Sequence, residues 1–286
     1  MSKVVAVAGG ASIDDVIDHL PDFKRSVRLV LVPTTCGTGS EVTEIAAINR
    51  TRLGCKAGIA GPEMFADDAV LVPELLYGLP DHVFATSSLD ALVHSVESTL
   101  SPNSTPYTRM FGYEAMKMII SGYKAVAEAG PAGSPERRIK RNELMRDFLI
   151  ASDYAGISFD TGGCAAVHAL SYQLGGKYHV PHGESNYAMF TGVLRNYMEI
   201  KPEGEILKMN QFIADILGCD VADVYDALET LINKLLPKKA LHEYGVTEQD
   251  LPEFADRVIK TQERLMKNCF VPLDYDRVLK IFKELY

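Results

Sequence analysis

The spacing of apolar residues changes near residue 80 of the chain. Before that point, short runs rich in β-branched residues lie at 4–10 ("VVAVAGG"), 27–35 ("VRLVLVPTT") and 69–76 ("AVLVPELL"). Continuous apolar runs of this length are typical of buried strands in a parallel sheet, and a short helix fits between the first two. The pattern therefore predicts that the chain starts with an α/β segment.

After residue 80, apolar residues recur at intervals of three and four, which is typical of amphipathic helices. The clearest such segments are 205–218, 223–236, 246–260 and 273–286. Thr247 is expected to cap the third of them, and the Pro/Gly/Ser cluster at 131–135 predicts a loop between helices. The predicted fold class is α/β followed by all-α.

The amino-acid composition argues against some kinds of binding partner. The chain has 286 residues with 47% hydrophobic and 23% charged residues, and its formal net charge is −9. Nucleic acid and anionic membranes attract basic surfaces, so neither is expected as the main partner. The five cysteines are scattered without CxxC spacing, which predicts reduced thiols in a cytoplasmic protein. No apolar run is long enough to span a bilayer.

Two glycine-rich segments have the composition of anion-binding loops. In the first, an apolar run ends at Gly9 and Gly10, and Ser12 leads into a predicted helix, where free backbone N–H groups suit a pyrophosphate. A plain tight turn stays open as the alternative. The second, 33–41 ("PTTCGTGSE"), places Thr34 and further small hydroxyl donors at the expected carboxyl end of a strand. Together the two segments favour a dinucleotide, and the absence of GK[ST] argues against a P-loop.

Residues that could bind a metal are concentrated in two segments. In 87–98 ("SSLDALVHSVES"), Asp90 and His94 are four residues apart and share one face of a predicted helix, with Glu97 one turn further. In 162–186, His168 lies in a helical run that is expected to stop at Gly175–Gly176, and His182 follows in a predicted loop. One carboxylate and three imidazoles suit Fe²⁺ or Zn²⁺ and leave a position open for a substrate oxygen.

Four motifs together resemble the iron-dependent (group III) alcohol dehydrogenases, from about residue 4 to the C-terminus. They are "GGASID", "VPTTCGTGSEVT", "SLDALVHSVES" and "HALSYQLGGKYHVPHGESN". The resemblance implies a dehydroquinate synthase-like architecture, with a partial dinucleotide-binding α/β domain at 1–79 and a helical metal-binding catalytic domain at 80–286. It implies NAD and Fe²⁺ as cofactors, with Zn²⁺ as a substitute metal, and an active site in the cleft between the domains.

The resemblance also assigns roles to single residues. The metal ligands that it implies are Asp90, His94, His168 and His182. The cofactor contacts that it implies are Gly9, Gly10 and Ser12 at the pyrophosphate, Thr34, Thr35 and Thr38 at the nucleotide, and Lys56 at the ribose beside the nicotinamide.

Two further residues of the second metal segment are expected to act in catalysis. His179 is interpreted as a substrate- or proton-handling residue, with an ordinary loop residue as the alternative. Tyr172 stands where many relatives have a further histidine, and its phenol could bind the substrate or relay a proton. The expected substrates are a short ω-hydroxy acid and its semialdehyde, best matched by 4-hydroxybutyrate and succinic semialdehyde. Lys177 is a candidate partner for the substrate carboxylate.

The chain departs from the family pattern at Ala8, Ala11, Ile17 and Val72, and it starts at a strand that is central in relatives. We therefore expect weak NAD binding and reduced activity. An inactive metal-binding homologue, another alcohol or diol dehydrogenase, and phosphate-binding siblings of the same architecture remain alternatives. Whether the chain forms a homo-oligomer stays open.

Overall fold

The computed structural model describes the backbone of residues 1–50 and 55–286, and the side chains of these residues apart from 49, 50 and 55–57. The first part of the chain forms two short helices and four strands: α1 Ser2–Ala8, α2 Ile13–Asp18, β1 Val30–Leu31, β2 Ile45–Arg50, β3 Cys55–Ala60 and β4 Asp68–Ala69. The remainder is helical: α3 Asp81–Leu100, α4 Pro106–Glu128, α5 Pro135–Glu143, α6 Met145–Gly162, α7 Ala166–Tyr178, α8 His182–Ile200, α9 Glu205–Leu217, α10 Val224–Asn233, α11 Asp250–Thr261, α12 Glu263–Met266 and α13 Tyr275–Leu285. This order confirms the predicted fold class.

The strands form two small sheets. β1 and β4 pair in parallel, with Val30 opposite Asp68, which agrees with the parallel arrangement predicted for two of the apolar runs. β2 and β3 form an antiparallel hairpin that the pattern did not predict. β4 covers only the start of the predicted run at 69–76, and the end of that run forms a 3-10 turn that begins at Pro73, a residue that cannot donate to a strand ladder.

The predicted strand at 4–10 is wrong, since these residues form α1. Val4 and Val7 are buried and lie three residues apart on one helix face, whereas Val5 is 60% exposed. A short apolar run does not distinguish a strand from a helix by its spacing, so tertiary packing decides between them. Gly9 then ends the helix in the left-handed conformation with φ 55°.

The helical part is built around α3, which is buried along almost its whole length from Phe84 to Leu100. Most of its buried residues are apolar or small, as expected for a helix in the centre of a bundle, and α4, α6 and α8 pack around it. The four amphipathic segments predicted near the C-terminus are helices α9, α10, α11 and α13. The loop predicted at 131–135 separates α4 from α5.

Two helix ends differ from the sequence expectations. Thr247 does not cap α11 with its oxygen; its N–H and hydroxyl instead donate to the Asp250 carboxylate at the first helical residue. α7 continues through Gly175 and Gly176 and ends at Tyr178. Glycine costs a helix only about 1 kcal/mol, so the packed helix extends to His179, whose left-handed backbone (φ 55°) stops it.

The buried apolar side chains fall into two clusters. The smaller cluster lies within residues 4–64 and the larger within residues 76–282, which also takes in Cys36 from the loop at 33–41. Within the part of the chain that the structure describes, none of the helices has the length and apolar character needed to cross a membrane.

Gly183 permits an unusually close approach of α8 to α3. A Cβ on this residue would overlap the backbone carbonyl of Thr86 in α3. The neighbouring residue His182 begins α8, so the contact at Gly183 fixes where that histidine lies relative to α3. Only a residue without a side chain allows this packing.

We predict that Gly183→Ala destabilises the protein by about 1–3 kcal/mol, because α8 must move away from a backbone that cannot yield. Gly176→Ala is the matched control, since a Cβ there meets no heavy atom within 4 Å. It should leave the free energy of unfolding unchanged or raise it by up to about 1 kcal/mol. Urea unfolding of the three proteins measures both effects, and equal stability of the two variants would contradict the packing argument.

Candidate metal centre

Asp90 and His94 lie on one face of the central helix α3. Both side chains are buried, at 4% and 6% exposure, so the carboxylate cannot be solvated by bulk water. Nδ1 of His94 lies 3.4 Å from the carbonyl oxygen of Gly37, and its Nε2 lies 3.9 Å from Oδ1 of Asp90. With the Nδ1–H directed at a carbonyl, Nε2 carries the lone pair that a metal needs.

His168, at the start of α7, is oriented by Glu97 of α3. Nδ1 of His168 lies 2.6 Å from Oε2 of Glu97, and the same oxygen accepts the backbone N–H of Ala165 at 3.0 Å. The Glu97 carboxylate therefore caps the first turn of α7, where a negative charge is favourable. It also fixes the imidazole so that only Nε2 remains available to a ligand.

His182 is the first residue of α8, after Pro181 at the cap position, and not part of a loop as the sequence suggested. Its side chain is 41% exposed, which makes it the open side of the cluster. A proline that precedes a helix has a fixed φ, so the start of α8 is well defined even though Pro-His-Gly looks like a turn.

The three imidazoles converge on one carboxylate oxygen. Nε2 of His168 and Nε2 of His182 each lie 3.5 Å from Oδ1 of Asp90, and Nε2 of His94 completes the group at 3.9 Å. The rings of His94 and His168 are stacked, with centroids 4.7 Å apart. Donor atoms from Asp90, His168 and His182 all lie within 4.8 Å of one another. The structure thus brings together all four residues that the sequence proposed as ligands.

Asn186, one turn after His182 in α8, connects these donors. Its Nδ2 lies 2.8 Å from Oδ1 of Asp90 and 3.2 Å from Nε2 of His168. A third contact of 3.5 Å reaches Nε2 of His182. Oδ1 of Asn186 is buried and has no hydrogen-bond partner among the described residues. The side-chain amide nitrogen of Asn186 therefore contacts a ligand atom of Asp90, His168 and His182, three of the four proposed donors.

The electrostatics of the cluster also favour a cation. Burial opposes ionisation of Asp90, but the charges of His94, His182 and His168 hold its pKa well below the usual range. Burial likewise opposes protonation of His168, whereas the charges of Cys164 and Glu97 raise its pKa well above the ordinary value. The carboxylate is thus ionised, and positive charge is stabilised around it.

The donor set fits one divalent metal ion. Nε2 of each of the three histidines lies within 3.9 Å of Oδ1 of Asp90, and Glu97 and Gly37 contact Nδ1 of two of the rings. Nitrogen and oxygen donors of this kind suit Fe²⁺ and Zn²⁺. The exposed edge at His182 leaves one side accessible to a small substrate.

Tyr172 lies beside the cluster, with its ring centroid 5.9 Å from that of His182. Burial raises the pKa of its phenol, although the charge of His168 opposes the increase. His179 is exposed at the end of α7, and no described contact links it to the four donors. The geometry favours an ordinary loop residue at position 179, while its proton-handling role stays a prediction.

The loop at 33–41 lies directly against the metal donors. Gly37 contacts His94 through its carbonyl oxygen, and a Cβ on Gly37 or Gly39 would overlap α3 or α6 respectively. Thr34 and Thr38 are exposed and Thr35 is half-buried, and the Thr38 hydroxyl accepts the N–H of Ser40 at 3.3 Å. The loop proposed for the cofactor and the donors proposed for the metal are therefore neighbours.

The structure gives less support to the other residues proposed for cofactor binding. Gly9 and Gly10 have φ 55° and 99° and link two helices rather than a strand and a helix. The Ser12 hydroxyl caps α2 by accepting the N–H of Asp15 at 3.1 Å. Lys56 belongs to β3, but its side chain lies outside the described residues. Their roles in cofactor binding remain predictions.

Sequence reasoning did not assign roles to three residues near the cluster. Asn186 follows His182 by four positions and therefore shares its helix face, a spacing that could have revealed it. Glu97 was noted for its position, but its contact with His168 spans 71 residues of sequence. Cys164 also lies near His94 and His168, and its spacing gives no signal.

Comparisons with known proteins place the chain among related sequences. The family model "Iron-containing alcohol dehydrogenase" matches residues 1–73. The model "Fe-containing alcohol dehydrogenase family, C-terminal" matches residues 84–286. The resemblance inferred from the four motifs is confirmed.

Individual relatives and a solved structure are also similar to this chain. The 4-hydroxybutyrate dehydrogenase of Clostridium kluyveri is 43% identical, and the match covers 100% of this chain and 79% of that protein. The sulfoacetaldehyde reductase of Bilophila wadsworthia is 33% identical over 90% of this chain and 66% of its own length. The sulfoacetaldehyde reductase of Bifidobacterium kashiwanohense, solved in complex with NAD+, is 25% identical with a TM-score of 0.83, covering 99% of this chain and 72% of that one. The chain thus spans about two thirds to four fifths of these relatives.

We predict that Glu97→Gln lowers metal affinity by about 10- to 100-fold, because the neutral amide no longer strengthens the basicity of Nε2 of His168 or fixes the orientation of the ring as firmly. Glu114→Gln is the control, since Glu114 is exposed and pairs only with Lys117. Competition with a chelator of known affinity measures the change. An affinity of Glu97→Gln equal to that of the control would show that Glu97 serves the fold alone.

Proposed function

The chain belongs to the iron-containing alcohol dehydrogenase family, and we propose that it transfers a hydride between NAD(H) and a short ω-hydroxy acid or its semialdehyde. The best-matched pair is 4-hydroxybutyrate and succinic semialdehyde, in keeping with the Clostridium kluyveri relative. The observation that carries the proposal is the convergence of three imidazoles on the buried Asp90 carboxylate, directly beside the loop at 33–41.

We further propose that residues 1–79 bind the cofactor and residues 80–286 hold the metal. Two features support the division. The smaller buried apolar cluster lies within residues 4–64 and the larger one, apart from Cys36, within residues 76–282, and the two family models end and begin at residues 73 and 84. Fe²⁺ is the expected metal and Zn²⁺ a substitute, held by Asp90, His94, His168 and His182.

A divalent ion held by these four residues would polarise the hydroxyl oxygen of the substrate while the nicotinamide accepts the hydride. The surrounding protein groups position the proposed metal ligands. Glu97 and Gly37 hold two imidazoles in the orientation that exposes Nε2, and burial of Asp90 and His94 keeps bulk water from the inner side. A fixed, water-poor site strengthens every electrostatic interaction with the reacting oxygen.

The position of Tyr172, with its ring centroid 5.9 Å from that of the exposed His182, supports a role in substrate binding. Because burial raises the pKa of its phenol above the ordinary value, the hydroxyl keeps its proton at neutral pH and acts as a hydrogen-bond donor. We propose that it orients the substrate hydroxyl or aldehyde oxygen, in the place where many relatives use a histidine.

The cation that meets the substrate carboxylate is better assigned to Arg264 than to Lys177. Lys177 hydrogen-bonds Asp250 and lies 3.8 Å from Glu253, so its charge is already compensated. Arg264, in α12, has no acidic partner among the described residues. Its guanidinium lies against Gly58 of β3, where an added Cβ would come within 3.1 Å of Nη2.

Arg264 lies near Tyr172: burial raises the pKa of that phenol, and the charge of Arg264 is among the effects that oppose the increase. An exposed arginine without an ion-pair partner among the described residues is suited to a carboxylate, which it can bind through two hydrogen bonds. A substrate with a carboxylate at one end and a hydroxyl at the other could then contact Arg264 and Tyr172 together.

The proposed function predicts that the metal-loaded protein oxidises 4-hydroxybutyrate with NAD+ at a kcat/KM well above that for 1-butanol, which lacks only the carboxylate. NADH formation, followed by absorbance, gives both values. Equal use of 1-butanol, or a preference for 1,3-propanediol, would contradict the substrate class, and no turnover of any alcohol by metal-loaded protein would contradict the reaction.

Arg264→Met should lower the ratio of kcat/KM for 4-hydroxybutyrate to that for 1-butanol by about tenfold or more, because a charge-assisted contact contributes roughly 1.5–3 kcal/mol. Arg257→Met is the control, since that exposed arginine pairs with Glu253 on the surface of α11. An unchanged ratio in Arg264→Met would assign the carboxylate to another cation.

A further inference from the structure

A second group of metal donors shares one histidine with the metal centre. It contains His94, Cys164 and His168, whose ligand atoms all lie within 4.8 Å of one another. The group of Asp90, His168 and His182 contains the same imidazole. Cys164 is half-buried, and the His182 side chain is 41% exposed.

The fold holds Cys164 in this place. Gly163, which ends α6, has φ 76°, a conformation that turns the chain sharply and that favours glycine. The carbonyl oxygen of Cys164 accepts a hydrogen bond of 2.9 Å from Nδ2 of Asn268. The next residue, Ala165, donates its N–H to Glu97, the carboxylate that orients His168. Cys164 and His168 are thus positioned by one shared set of contacts.

The other described cysteines have different surroundings. Cys36 is buried, with Ser87 as its only side-chain hydrogen-bond partner within the described residues. Cys269 is buried next to Tyr197, and Cys219 is half-buried at the end of α9. Among the described cysteines, only Cys164 lies within ligand distance of two histidines.

We propose that the Cys164 thiolate is a ligand of the metal ion, together with His94 and His168. The inference rests on the proposed function, because it concerns the ion bound at the same site. It adds a sulfur donor that the set of one carboxylate and three imidazoles lacks.

The distances and the chemistry support this ligand. Metal–sulfur and metal–nitrogen bonds of about 2.3 and 2.0–2.1 Å allow donors to lie up to about 4.4 Å apart across one ion. The ligand atoms of His94, Cys164 and His168 lie within 4.8 Å of one another, so small side-chain movements would bring all three to one ion. The thiol proton passes to solvent when the ion binds, since only the thiolate is a ligand. Sulfur is a soft donor, so the chain should favour Zn²⁺ over Fe²⁺ more strongly than a site with only nitrogen and oxygen ligands.

The test uses Co²⁺ in place of the natural metal, because a thiolate bound to Co²⁺ gives a charge-transfer band in the near ultraviolet that nitrogen and oxygen ligands do not. Co²⁺ is titrated into metal-free wild type, Cys164→Ser and the control Cys219→Ser, whose thiol lies outside the site. We expect the band in wild type and in Cys219→Ser and its loss in Cys164→Ser. Zn²⁺ affinity, measured by chelator competition, should fall at least about tenfold in Cys164→Ser.

X-ray absorption at the zinc edge of the Zn²⁺-loaded wild type supplies an independent measurement, with a sulfur neighbour expected at about 2.3 Å. Stoichiometric Co²⁺ binding without the band, or without a difference between wild type and Cys164→Ser, overturns the thiolate ligand and leaves the proposed function intact. Failure of the wild type to bind any of these metals would instead overturn the proposed function.

Discussion

The buried carboxylate of Asp90 is the constraint on which the site depends. An ionised carboxylate removed from water costs several kcal/mol unless positive charge and hydrogen bonds compensate it. In this chain three imidazoles and the amide of Asn186 surround it. These groups come from α3, α7 and α8, so the site forms only when these three helices pack together correctly.

Glu97 links the group around Asp90 to the packing of the neighbouring helices. Its carboxylate caps α7 and holds His168, while α8 approaches α3 closely enough at Gly183 to place His182. The loop at 33–41 docks on the same helices through Gly37 and Gly39, which brings the proposed cofactor contacts next to the donors. The loop proposed for the cofactor and the donors proposed for the metal are therefore in direct contact.

The metal centre was largely predictable from sequence because its donors have informative local spacing. Asp90 and His94 share a helix face, and the histidine-rich segment supplies the other two donors. Cys164 and Arg264 were not predictable, since their partners lie on other elements and only tertiary packing brings them near. Asn186 is intermediate, because its spacing from His182 is local but an asparagine alone indicates no metal site.

The fold of the N-terminal segment was less predictable from the sequence. The apolar run at 4–10 suits a strand or a helix equally, and the packing of Val4 and Val7 decides for the helix α1. The parallel pairing of β1 with β4 was predicted because β-branched runs bounded by turn residues are less ambiguous. The hairpin of β2 and β3 carried too little alternation of apolar and polar residues to be recognised.

The most direct test of this account is the metal stoichiometry of the purified chain and of Asp90→Asn, measured by calorimetric titration of Zn²⁺ or Fe²⁺ into metal-free protein. The account predicts one tightly bound ion per chain in the wild type. In Asp90→Asn, which keeps the shape of the side chain but removes the charge, it predicts binding weakened by at least about 100-fold, since a directly bound ligand should matter at least as much as its outer-shell partners. Equal stoichiometry and affinity in the two proteins would contradict the claim that the buried carboxylate organises a metal site.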